Sequence, residues 1–181
     1  MEKTVKIGFL IILLALALTA CATGGVNTPL PQIINIEQPG SDTPKEAADY
    51  IGIWEGIWSS ESGGYYYENV LPVTIVIEKI KSSRVTAIYS WGSWGTYIKE
   101  GYKRMTGEIK NKTITLKDSF GAITIEIASN LKTASAVMRS KNFTANTTLH
   151  KNDTKTQQLK ELKRDISHLP EKIRNFNGAW Q

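Results

Sequence analysis

Internal disulfides are closed to this chain, because its 181 residues hold a single cysteine, Cys21. Histidine is almost as scarce. His150 and His168 are the only two, and no carboxylates are spaced beside either to share a metal. The signatures of zinc proteases, of serine hydrolases and of phosphate-cradling glycine loops are missing too. Glutamates are spread through the middle of the chain at 55, 61, 68, 100, 108 and 126, without spacing that singles out an acid–base pair. These absences point to a non-catalytic protein that needs no metal and no cofactor. Long apolar runs are lacking as well, with one exception at the start. Ile7 to Leu18 is apolar apart from Gly8, which is shorter than the roughly 20 residues that span a bilayer.

That exception is flanked in a telling way. Lys3 and Lys6 precede it, and Leu18-Thr19-Ala20-Cys21 closes it with small residues before the cysteine. A charged start, an apolar stretch and a small-residue cleavage site make a signal peptide. Leu18 to Cys21 resembles the lipobox of bacterial lipoproteins. That resemblance implies removal of residues 1–20, lipid on Cys21, and attachment to a membrane by two or more acyl chains, each buried methylene adding about 0.8 kcal/mol. Ala22 follows Cys21 where an aspartate would resemble an inner-membrane retention signal. A host with two membranes is therefore expected to place the protein on the outer one.

The full chain carries a net charge of +5, spread along its length rather than clustered. Acidic lipid or glycan suits such a surface, and nucleic acid is not an expected partner for an exported protein. From Ala22 to Ala48 the sequence is punctuated by Gly24-Gly25, Pro29, Pro31, Pro39-Gly40 and Pro44, which reads as a tether across 21–48. Ile33, Ile34 and Ile36 interrupt it. They form either a short strand or a patch that docks on the folded domain.

Period-two patterns then take over, expected to make one domain across 49–152. Val73, Ile75 and Ile77 alternate with Thr74, Val76 and Glu78, and Val85, Ala87, Tyr89 and Trp91 form a second series. Lys110-Asn111-Lys112 reads as a tight turn between Ile109 and Ile114. Further alternation runs through Ile123 to Ile127, Ala134 to Met138, and Phe143 to Leu149. With Tyr50 to Trp58 the total is about eight strands and no intervening helix. The fold class expected is mainly β: an antiparallel meander closed as a small barrel, followed by a carboxyl-terminal amphipathic helix.

The first strand reads Gly52-Ile53-Trp54-Glu55-Gly56-Ile57-Trp58. Either Gly-Ile-Trp triplet resembles the G-x-W signature of lipocalins and their calycin relatives. In that family the tryptophan closes one barrel end beneath a late arginine or lysine. The resemblance implies a closing role for Gly56 and Trp58 with Arg139 over the ring, Lys151 being the other candidate cation. A cation over an indole contributes roughly 0.5–2 kcal/mol. Eight strands leave room inside for a side-chain core or one small ligand.

Tyr89 to Tyr102 holds two Trp-Gly steps. Trp91, Trp94, Tyr97 and Tyr102, with Trp58, are the rings expected to line or gate a ligand site, unless the loop folds inward as an aromatic lid. Tyr65-Tyr66-Tyr67 starts the next strand nearby. Beyond Asp153, Leu159, Leu162, Ile166, Leu169, Ile173 and Phe176 recur at helical spacing, interrupted by Pro170, and this helical segment is expected to run through 153–181. Its stripe fits the barrel wall, a partner helix, or a membrane surface. The function expected is a membrane-anchored envelope protein binding a small apolar or amphipathic ligand. The alternative is an accessory protein with a filled barrel that contacts protein or glycan.

Overall fold

The computed structural model describes residues 28–43, 45–60, 67–96, 98–119, 121–141 and 143–166. The expected leader 1–20, the lipidation site Cys21, the ring of Tyr97 and the segment 167–181 lie outside these residues. A single-turn helix, α1 (Lys45–Ala48), precedes eight strands: β1 (Gly52–Ser60), β2 (Tyr67–Lys81), β3 (Arg84–Trp91), β4 (Gly101–Lys110), β5 (Thr113–Lys117), β6 (Gly121–Ile127), β7 (Thr133–Ser140) and β8 (Thr144–Lys151). A second helix, α2 (Asp153–Ile166), follows. Each strand pairs antiparallel with the next, and β8 returns to β1, so the eight close into a barrel in chain order. The expected meander and its closure are both observed.

Alternation produces this barrel, since a strand turns successive side chains to opposite faces. Trp54 lies opposite Ile75, and Ile75 opposite Tyr89, so apolar positions of one parity converge inside. Hairpin chemistry fixes the register. Lys110 pairs with Thr113 across Asn111 and Lys112, which sit at φ 47° and 66°. Two left-handed residues make the turn that matches strand twist, as the Lys-Asn-Lys tract led us to expect.

The barrel has two distinct ends. At its base lie the start of β1, the turns at 82–83 and 111–112, and both helices. At its mouth lie the 92–100 loop and the turns following β5 and β7. Near the base, α2 is capped by Asn152, whose side-chain carbonyl accepts the Lys155 N–H at 2.9 Å, the usual way to satisfy a first-turn donor. Thr156 then accepts the Ile53 N–H at 2.9 Å, and Leu159 packs on the core. The opening turns of α2 therefore lie against the barrel wall.

Residues 28–43, expected to belong to a flexible tether, instead run along the outside of β2 and β3 from mouth to base. The Thr28 hydroxyl donates to that of Thr74 at 2.7 Å, and Ser90 donates to the Pro29 carbonyl. Further down, the Glu37 N–H reaches the Glu78 carbonyl at 2.8 Å, and Thr43 bonds the Ile80 carbonyl at 2.8 Å. The physical reason is apolar. Val76 and Ile88 point away from the interior yet are fully buried, and Ile36 is buried over the same wall. Covering such a side chain contributes about 1.5–3 kcal/mol. Docking, the second reading of the isoleucine cluster, holds in this strap for Ile36 and in part for Ile34, while Ile33 stays exposed.

Candidate functional site

Both barrel ends place a lysine over an aromatic ring. At the base, Trp54 is buried and donates its indole N–H to the Tyr50 carbonyl at 2.8 Å. Lys151 lies over that ring with its Nζ 5.8 Å from the centroid, and donates to the Asp49 carbonyl. Burial holds the Lys151 ammonium below its ordinary value, with Asp153 pulling it back. The arrangement is a plug with its polar atoms satisfied.

At the mouth, Lys103 lies over Tyr89, again at 5.8 Å. Lys103 is ion-paired with Asp118, and Asp118 also accepts the Gly121 N–H at 3.0 Å. Gly121 is required there: its φ is +158°, and a Cβ would come within 2.2 Å of the Arg139 carbonyl. Burial lowers the Lys103 ammonium. The Tyr89 hydroxyl meets the Met138 sulfur at 3.6 Å. Burial pushes that hydroxyl up to about 12, with the Trp58 N–H pulling it partly back. Trp58 nevertheless has no hydrogen-bond partner of proper geometry for its buried N–H among the described residues. Tyr89, Lys103, Asp118, Met138 and Phe143 surround a cavity of 60 Å³, room for about two waters.

This geometry redistributes the expected site residues. The lysine–indole pair uses Trp54 of the first triplet, rather than Gly56, Trp58 and Arg139. Arg139 falls on the outward parity of β7 and is exposed, so it cannot cover an inward ring. Gly56 has a different task, since a Cβ there would come within 2.7 Å of the Thr148 carbonyl on β8. Trp58 is wholly buried inside the barrel, towards the mouth end of β1. Trp91 folds inward, its ring tilted on Tyr89 at 5.2 Å and its N–H on the Lys99 carbonyl at 2.9 Å. Trp94 bridges Ile98 through the backbone and is half-buried against the core. Tyr102 is 49 % exposed on the outer wall. The rings therefore do not line one cavity, and the loop is a lid.

Two charged sites escaped the sequence reading. Lys103 shares a parity with Met105, Gly107 and Ile109, a pattern that places a lysine inside, and this signal was legible. Glu78 is 3 % exposed on the outer wall. It accepts Arg104 Nε at 2.7 Å, Arg104 Nη2 at 3.0 Å and the Asn35 N–H at 2.8 Å. Arg104 also donates to the Ile33 carbonyl at 3.1 Å, so this fork ties the strap down. A larger hollow, 790 Å³, lies on the outer wall beside Arg84, Thr106, Glu108, Lys110 and Lys117. No protein-family model matches the chain, and no curated protein matches it as a relative.

Proposed function

We propose that this chain is an exported, lipid-anchored envelope protein whose barrel is a filled core presenting its surfaces to partners. One observation carries this over ligand carriage. Trp58, Val73, Ile75, Ile114, Leu116 and Leu149 are each 0 % exposed, so no water-sized space touches these inward side chains. The mouth cavity of 60 Å³ is far below the roughly 300–1,000 Å³ of small-molecule sites. The export and lipid assignments rest on Leu18 to Cys21, and they place the protein at the cell envelope, on the outer membrane where the host has one. The role is non-catalytic and needs no cofactor. The partners are the anchoring membrane and an envelope protein or glycan, not nucleic acid. The pairing of Trp54 with Lys151 supports the lipocalin-like reading of the barrel, with the closing tryptophan in the first triplet.

A second reading keeps ligand binding at the mouth, favoured by the cationic Lys103 among Tyr89, Met138 and Phe143. Native mass spectrometry of the full lipidated chain from its producing cells separates the two. The filled-barrel reading expects the acylated polypeptide mass with nothing added. A co-purifying molecule that is lost in a Tyr89→Ala variant would overturn it.

A further inference from the structure

The strap fixes where the chain leaves the barrel. Its first described residue, Thr28, is bonded to Thr74, and Pro29 to Ser90, both on the mouth half of the outer wall. Only residues 22–27 separate Thr28 from Cys21. Whatever their conformation, they reach no further than about 25 Å. A 28-residue tether would let the barrel tumble, whereas this link holds the mouth close to the bilayer.

The mouth rim has the chemistry for that position. Trp94 and Ile98 are half-buried on the 92–100 loop, and Tyr102 is exposed beside it. Lys99, Lys117 and Lys141, all exposed, stand around the same rim, with Glu100 as the exposed acid on the loop. Tryptophan and tyrosine favour the headgroup level of membranes, and each lysine near an anionic surface adds about 1 kcal/mol. Among the described residues of the base, the aromatics Tyr50 and Trp54 are buried. We propose that the barrel sits mouth-down, with this rim on the anionic headgroups of the membrane that holds Cys21. The proposal rests on the lipoprotein reading and adds an orientation to it.

The test uses the full lipidated chain, in which acylation leaves no free thiol on Cys21. Ser93→Cys at the mouth and Ser83→Cys at the base, both exposed positions, each receive a fluorophore. The proteins are reconstituted in vesicles of phosphatidylglycerol and phosphatidylcholine containing headgroup spin-labelled lipid. The expected result is quenching several-fold stronger at Ser93→Cys than at Ser83→Cys. Equal quenching, or stronger quenching at the base, overturns the orientation and leaves the lipoprotein reading standing. Mass spectrometry of the amino-terminal peptide decides that reading separately, and an unmodified Cys21 overturns both. Lys99→Glu with Lys141→Glu is expected to lower the quenching ratio, and an unchanged ratio overturns the role given to the basic rim.

Discussion

The base and the mouth of this barrel use the same device and finish it differently. Each lays a lysine 5.8 Å from an aromatic ring. At the base the indole N–H has a carbonyl partner, the lysine has another, and α2 covers the strand beside them. Towards the mouth a tyrosine hydroxyl settles for sulfur, the Trp58 N–H lacks a well-formed partner among the described residues and a small cavity remains. Buried polar groups are nearly always paired, so an end that leaves them unfinished is the end under some demand other than stability. On the proposed reading, the base serves folding and the mouth serves contact.

The harshest way to break this contrast is to truncate a ring at each end. Trp54→Ala is expected to cost about 3–5 kcal/mol, read as a lowered urea midpoint, while Trp91→Ala, at a half-buried lid position, costs clearly less. Equal losses would mean that the mouth is as structural as the base. Next in size is an alkaline effect centred on Tyr89. An unfolded tyrosine loses its proton near pH 10, whereas that of Tyr89 leaves at about 12. Its contribution is complete below pH 10 and falls as pH rises towards 12, by roughly 2–3 kcal/mol in all. Tyr89→Phe is expected to flatten that part of the stability–pH curve, and an unchanged slope would show that the group is not insulated.

The barrel itself was legible because alternation and turn residues are local signals. Asn111 and Lys112 announced their turn, and eight apolar series announced eight strands. The identity of the plug was not. Trp54 and Trp58 share a parity, so only axial position separates them, and that position comes from pairing Trp54 with Lys151 across the closing seam. The strap was hidden for a related reason. Its Pro and Gly punctuation resembles a linker, while the partners that order it, Thr74, Glu78 and Ser90, lie more than forty residues away. Val76 and Ile88 were the available hint, being apolar on faces that alternation assigned to water.

A finer cut compares the two buried tryptophans. Phenylalanine at either position removes similar volume, so the difference between the variants isolates the N–H. Trp54→Phe also strips a donor from the Tyr50 carbonyl, whereas Trp58→Phe removes a donor with no well-formed partner among the described residues. The former is expected to cost about 1 kcal/mol more in equilibrium unfolding, and a reversed order would mean that Trp58 finds a water the contrast ignores.

The smallest effect concerns the lysines. Lys151→Met loses the cation over Trp54 and the bond to Asp49, about 1 kcal/mol. Replacing Lys103 by Met together with Asp118 by Asn removes a partly buried ion pair, a change that is often neutral or stabilising because desolvation offsets the attraction. Double-mutant unfolding is therefore expected to show a loss at the base and almost none at the mouth. If the mouth pair proves the costlier one, Lys103 and Asp118 hold the barrel together, and the end read as a contact surface is a second structural plug.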